Sequence, residues 1–515
     1  MADAAAPKSF LDHVTNVSDF IWGGTWNGEQ VLVLPPMVVT LLGVGFFFMI
    51  GLRFYPIVNL GKAFAGLFKK EEGDHRSDGE ISPFAALSTA LSGQVGTGNL
   101  AGVATAVTLG GPGALFWMWI TAILGMALAF AEGSLAVRYR EKLPDGEYRG
   151  GPMYYIRHGL GPKWGWLAIV FCGATLVGAI STGNMIQANS IADALSSLTG
   201  EFFGAGAGVG SATGMTTRQG ADLIAGLIVA AFVFAVIIGG IQSIGAAAEK
   251  IVPTMALFYI AIALAAIFIN IEYLPGAFGL IFTTAFTGQA AVGGFMGAGV
   301  MLAIRAGVAR GLFSNEAGQG STPMAHAVAK TQDPARQGRF AMMGTFIDTI
   351  IICTMTGLVL LTVQGSFPSA AGEQQFVWMS DLKGFEMTLD AFAQALPLTI
   401  VGELSLGQLA VSLCLILFVF TTLVTWSYYG ERAAVYLAQK AGASLGVQHR
   451  VAIGWRLLWC LMIVVGSYQE IDLVWRLGDI GNALMAFPNL IALALLSGVV
   501  FAMAKGDRKA GKDYP

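Results

Sequence analysis

The sequence predicts an all-α polytopic membrane protein of about eleven transmembrane helices. Three observations carry that reading. Of 515 residues, 55% are hydrophobic and only 12% charged, whereas soluble domains carry roughly 25% charged residues. Mean hydropathy is +0.66. Apolar stretches of roughly 20 residues, the length that crosses a bilayer as a helix, recur along the chain. A membrane β-barrel would alternate in segments of about ten residues, and no segment does so.

Eleven candidate spans follow in order: 31–58, 82–109, 113–138, 165–198, 221–241, 248–270, 290–311, 337–364, 403–437, 451–468 and 472–504. Segments 8–24, 274–287 and 386–400 read as shorter helices in the interface or folded over the protein. The 68 glycines suit membrane helices, whose backbones approach closely where side chains are small. Cys172, Cys353, Cys414 and Cys460 all fall in apolar spans, as small buried hydrophobes without disulfide or zinc spacing. A net charge of −3 with no basic domain gives no reason to expect a nucleic-acid partner. The start of the chain lacks a basic, apolar, small-residue progression, so no cleaved signal peptide is expected.

Charge bias sets orientation, because cytoplasmic loops collect Lys and Arg. With the N-terminus outside, the inner segments hold Arg53, Lys62, Lys69, Lys70 and Arg76, then Arg138, Arg140, Lys142, Arg149, Arg157 and Lys163. Lys250 follows, then Arg310, Lys330, Arg336 and Arg339, then Arg432, Lys440, Arg450 and Arg456, and a tail with Lys505, Arg508, Lys509 and Lys512. Only Lys8, Arg218 and Lys383 fall outside. That is 24 of the 29 basic residues inside against 3 outside, with Arg305 and Arg476 within spans.

The second span carries the clearest functional signal. It reads Leu91-Ser92-Gly93-Gln94-Val95-Gly96-Thr97-Gly98-Asn99-Leu100-Ala101-Gly102. Each interior glycine costs a helix about 1 kcal/mol relative to alanine. In lipid, irregular backbone survives only where protein buries it or a cavity hydrates it. Glycines that merely allow close packing are the plainer reading. The interleaved Gln, Thr and Asn favour an unwound turn. Its amides then face an anion such as a carboxylate, and its carbonyls a hard cation. The seventh span offers a counterpart in Gly288, Gly293, Gly294, Phe295, Gly297, Gly299 and Gly307. Paired glycine-interrupted spans point to a transporter site. Setting the first span aside leaves two groups of five, each opening on a broken span, the arrangement of an inverted repeat.

The chain then divides into an N-terminal segment with an interfacial helix (1–30) and an extra transmembrane helix with its loop (31–81). The first five-helix repeat covers 82–270, the second, with a linking loop, 271–504, and a cytoplasmic tail 505–515.

Several motifs resemble the alanine or glycine:cation symporter family, the sodium:alanine symporters. They are Gly93-Gln94-Val95-Gly96-Thr97-Gly98-Asn99-Leu100-Ala101-Gly102-Val103-Ala104, Gly110-Gly111-Pro112-Gly113-Ala114 and Glu132-Gly133-Ser134-Leu135-Ala136-Val137. Gly150-Gly151-Pro152-Met153-Tyr154-Tyr155 and Gly311-Leu312-Phe313-Ser314-Asn315-Glu316-Ala317-Gly318 add to them. The resemblance implies the leucine-transporter fold with one extra N-terminal helix. It also implies sodium-coupled uptake of alanine or glycine by alternating access, as a multi-pass protein of the bacterial inner membrane in contact with lipid. Sodium is then the co-transported ion.

The same resemblance implies site residues. The Thr97 and Gly98 amides receive the substrate carboxylate and Asn99 lines the pocket. Sodium lies between the backbone oxygens of Ser92 and Val95 and those of the ninth span, namely the Phe418 carbonyl and the Thr421 and Thr422 hydroxyls. Hard cations take oxygen ligands, although adjacent membrane threonines often bond only to their own helix. Phe295 and Trp426 form the substrate wall and Gln187 is a polar contact. Bulky aromatics around a small cavity suit a small side chain.

Glu132, Asp348, Asp472 and Asp479 sit in or near spans. A carboxylate such as Asp348 could carry a proton, which makes a proton-coupled carrier of the same fold the alternative. Structural pairing, such as Glu132 with Arg138 near one inner end, is the plainer reading. All five histidines lie outside the spans. No nucleophile–base set or phosphate-cradling loop argues for an enzyme or ATP-driven pump, and one broken helix per half suits alternating access better than a channel.

Overall fold

The computed structural model describes residues 9–32, 34–67, 78–144, 146–203, 217–287, 296–368, 374–401, 404–469 and 472–507. They are overwhelmingly helical. Eight helices are long and apolar enough to cross a membrane: Gly113–Arg138, Pro162–Leu195, Arg218–Ile237, Gly240–Ile269, Pro334–Thr362, Leu406–Lys440, Leu445–Tyr468 and Leu473–Leu495. A ninth is reached if Pro36–Gly51 and Tyr55–Leu67 form one span bent by 76°. The bend sits at Arg53 and Phe54, both in the left-handed region.

Two of the eleven expected spans are therefore not continuous apolar helices among the described residues. The 82–109 span is two pieces around an irregular turn, Pro83–Gln94 and Val103–Gly110. The 290–311 span is described only from Met296, as Met296–Asn315, which carries Arg305 and Arg310.

Local chemistry explains the element ends nearest the site. Ser82 caps Pro83–Gln94 by accepting from Ala85 N at 2.9 Å, and Pro83 occupies the first turn, where a missing N–H is harmless. Leu406–Lys440 begins with a capping box between Ser405 and Gln408. Among the described residues, π-helical stretches interrupt the spans at Gly98–Gly102, Ala179–Met185 and Phe346–Cys353. Such wide turns cluster at functional sites. Gly98–Gly102 packs on Phe346–Cys353, and Ala179–Met185 packs on Leu406–Lys440. Phe232, Leu257, Phe268 and Leu461 point outward from the helices, as lipid contact requires.

Among the described residues, the backbone of this half breaks after the glycine-rich stretch expected to mark it. Gly297, Gly299 and Gly307 lie within continuous helix, and Gly288, Gly293, Gly294 and Phe295 lie outside the described residues. The backbone leaves the helix after Asn315. Glu316, Gly318 and Gly320 all take positive φ before a single turn at Pro323–His326. This segment is almost wholly buried, the condition under which irregular backbone is tolerated at membrane depth.

One consequence concerns Arg310, counted above with an inner segment. It stands with Asp19, Arg305, Arg476 and Asp479 beside the N-terminal helix Phe10–Gly23.

Candidate substrate and cation site

Pro83–Gln94 makes its last regular bond from Val95 N to Leu91 O at 2.8 Å, and Val95 then turns extended. In an unbroken helix Gly96 N would go to Ser92 O and Asn99 N to Val95 O. Instead Gly96 N donates to Asn99 Oδ1 at 2.8 Å, and Asn99 N to Gly96 O at 3.2 Å. The break thus frees the Ser92 and Val95 carbonyls from their helical donors.

Those two oxygens converge on Leu406–Lys440. Thr422 Oγ1 lies 3.1 Å from Ser92 O, 3.1 Å from Val95 O and 2.9 Å from Phe418 O. Thr421 Oγ1 lies 3.0 Å from Phe418 O and 3.6 Å from Met255 Sδ. A hydroxyl has one proton to give. Three carbonyls around it leave acceptor capacity for a cation that prefers oxygen. Of the five residues expected to hold sodium, Ser92, Val95, Phe418 and Thr422 meet here, joining the broken helix to the long one, and Thr421 stands beside them on Phe418 O. Gly96 is required for the approach, because a Cβ there would stand 2.6 Å from Thr422 Oγ1.

Thr97 and Gln187 meet on the other face of the turn. Gln187 Oε1 accepts from Thr97 N at 3.2 Å and from Thr97 Oγ1 at 2.7 Å, while Gln187 Nε2 donates to Thr182 O at 3.1 Å. The Thr97 amide assigned to a carboxylate is therefore held by Gln187 in this conformation. A substrate reaching it must displace that oxygen.

Trp426 closes the neighbourhood by packing on Gly183, where a Cβ would come within 2.6 Å of its side chain. Its Nε1 donates to Glu316 Oε1 at 2.8 Å, and Ser321 Oγ donates to Glu316 Oε2 at 2.5 Å. Thr182 Oγ1 and Tyr429 Oη are buried here with no partner among the described residues. Buried polar atoms are rarely left so, and both are available to a polar ligand.

The Asn99 side-chain amide reaches Asp348 and Ser314, with Nδ2 2.5 Å from Asp348 Oδ1 and 3.0 Å from Ser314 Oγ. It fastens the first break to the second, where a pocket-lining role was expected. Gln94 adds a similar tie, with Nε2 donating to Asn315 O at 2.5 Å. Gly98 packs under Phe313, whose ring would be 2.9 Å from a Cβ at that position. Phe295 lies outside the described residues.

The buried carboxylates are held by neutral donors. Asp348 accepts from Asn99, from Ser314 Oγ at 2.8 Å and from Thr349 Oγ1 at 2.8 Å. Glu132 does not pair with Arg138. It accepts from Asn489 Nδ2 at 2.6 Å and Gly318 N at 3.2 Å.

Sequence reasoning passed over Ser314, Asn315 and Glu316 as site residues. The signal was present: in 314–322 glycines alternate with polar residues, as they do in 92–99. It lay beyond the expected end of the seventh span.

The sequence model described as the sodium:alanine symporter family matches residues 21–513. The chain is 42% identical over 510 residues to the sodium/alanine symporter AgcS of Methanococcus maripaludis, covering 98% of each. It is 37% identical to the putative sodium/proton-dependent alanine carrier protein YrbD of Bacillus subtilis, covering 94% of this chain and 91% of that one. Among solved structures, a crystal structure of MhsT in complex with L-phenylalanine aligns with a TM-score of 0.54 at 15% identity, over 82% of this chain and 90% of that one. That likeness establishes the shared fold alone.

Proposed function

The chain belongs to the sodium:alanine symporter family, and from that premise we propose that it imports alanine or glycine together with sodium by alternating access. It is a multi-pass membrane transporter and not an enzyme. In this reading the N-terminus lies outside and the tail inside. The two breaks open two five-helix repeats, and the extra span precedes them.

The observation that carries the sodium reading is the Thr422 hydroxyl ringed by three carbonyls, two of them orphaned by the break. All the oxygens are neutral, which suits a monovalent ion better than a divalent one. The substrate reading rests on Trp426 over Gly183 beside Gln187, an aromatic wall with little room for a side chain. The carboxylate goes to the Thr97 and Gly98 amides once Gln187 swings away.

Purified carrier in proteoliposomes is expected to accumulate labelled alanine when sodium is imposed outside. Uptake unchanged when choline replaces sodium, with the pH gradient clamped, would remove the sodium reading. Competition by a panel of amino acids ranks the substrates.

Proton coupling is the second reading. The observation favouring it is Asp348, a buried carboxylate met by neutral donors among the described residues, and the Bacillus relative is itself named a putative sodium/proton-dependent carrier. Uptake driven by an imposed proton gradient alone would promote it.

A further inference from the structure

A cavity of about 480 Å³ lies between the N-terminal helix Phe10–Gly23, the half-helix Val103–Gly110 and the start of Asp472–Leu495. Ligand sites commonly span about 300–1,000 Å³. Arg310, Arg476 and Asp479 supply its charges, and Thr15 and Thr105 its hydroxyls.

Arg310 and Asp479 are mostly buried, at 13% and 20% side-chain exposure, yet stand 3.8 Å apart. That is close enough to attract and too far to hydrogen-bond. Arg310 makes no other ion pair or hydrogen bond among the described residues. Its guanidinium lies against the rings of Phe313 and Trp475, 5.7 and 5.5 Å from their centres. By contrast the ion pairs around Glu431 are closed, with Arg456 Nε 2.6 Å from Glu431 Oε2. Arg476 is already taken by Asp19, and Trp22 Nε1 holds the Asp479 carbonyl, so the N-terminal helix roofs the cavity. Behind two of its lining residues, Trp475 and Arg310, lies Phe313, the ring that packs on Gly98 of the central site.

An open pair of opposite buried charges matches one kind of small solute. We propose that this cavity is an outer amino-acid subsite, where a zwitterion sets its carboxylate on Arg310 and its ammonium on Asp479 before passing Phe313. Arginine presents a planar fork suited to a carboxylate. The inference rests on the amino-acid transport reading above.

The test is equilibrium binding of labelled alanine to the full-length carrier in nanodiscs at saturating sodium. Two alanines per carrier are expected, falling to one in Arg310→Gln and in Asp479→Asn, with Asp479→Glu restoring two. Propionate and ethylamine, each with one of the two charges, are expected not to displace the outer alanine. One alanine in the unmodified carrier, or two retained in both neutralised variants, overturns the subsite. If the neutralised variants bind none, Asp479→Glu decides: two supports the subsite and one overturns it. Sodium-driven uptake by the same protein reports on the transport reading separately. Intact uptake with one bound alanine overturns this inference alone, and loss of both uptake and binding overturns both.

Discussion

Trp426 Nε1 donates to Glu316 Oε1 across 2.8 Å, fastening the long helix Leu406–Lys440 to the buried turn after Asn315. The bond fixes the indole over Gly183, so it sets the size of the proposed substrate wall. Trp426→Phe removes the donor and opens space. Alanine affinity is expected to fall about tenfold, equivalent to ~1.4 kcal/mol, and larger neutral amino acids to begin competing for uptake. Glu316→Gln keeps an acceptor and is expected to shift selectivity less. An unchanged competition profile in Trp426→Phe would remove Trp426 from the wall.

Gly96 and Gly173 make a contrasting pair. A methyl at Gly96 meets Thr422 Oγ1 at 2.6 Å, whereas Gly173 has nothing within 4 Å. Gly96→Ala is expected to abolish uptake in protein that still elutes as a single species. Gly173→Ala is expected to transport normally and unfold no earlier, because alanine is the better helix former by about 1 kcal/mol.

Asp348 separates the two coupling readings. Asp348→Ala strands the Asn99, Ser314 and Thr349 donors, a loss on the order of 3 kcal/mol that a thermal-unfolding assay reads. Asp348→Asn keeps an acceptor and is expected to retain sodium-driven uptake. Loss of uptake in Asp348→Asn, in protein that still folds, would favour proton coupling through Asp348.

How much of this was legible beforehand follows from hydropathy and residue type. The long apolar helices were readable because burial in lipid demands unbroken runs of one length. The first break was readable because Gly96 and Gly98 alternate with Gln94, Thr97 and Asn99 inside such a run. For the second, glycine number weighed without polarity pointed to Gly297, Gly299 and Gly307, which lie in continuous helix. The working segment has only Gly318 and Gly320, but Ser314, Asn315, Glu316, Gln319 and Ser321 between and around them. Arg310 was counted with an inner segment because hydropathy ends the span at 311, whereas the helix runs on to Asn315. Side-chain direction lay beyond the sequence. The Asn99 amide turns to Asp348, and Gln187 occupies the Thr97 amide, because those partners come from spans hundreds or tens of residues away.

Outside the membrane, Glu141 sits in a short hairpin and takes a hydrogen bond from His158, at 2.6 Å. That bond is the main reason its carboxyl is held below the usual glutamate value, with the charges of His158 and Arg157 adding to it. A depressed carboxylate stabilises the fold above its unfolded value of 4.5 and ceases to do so as pH falls through its folded value. Thermal stability is therefore expected to drop on acidification below about pH 4.5, and Glu141→Gln to flatten that part of the profile. An identical profile in the variant would show that the pair adds nothing.

The account's central claim is that sodium binds where Ser92 O, Val95 O and Phe418 O surround the hydroxyl of Thr422. The most direct measurement is the sodium concentration for half-maximal alanine uptake in Thr422→Ala, Thr421→Ala and Thr422→Ser proteoliposomes. Both alanine variants are predicted to need about tenfold more sodium or more, the loss of roughly one ligand at ~1.4 kcal/mol, while Thr422→Ser stays near the unmodified value. Sodium dependence unaltered in the Thr421→Ala, Thr422→Ala double variant would contradict the claim and move the ion elsewhere.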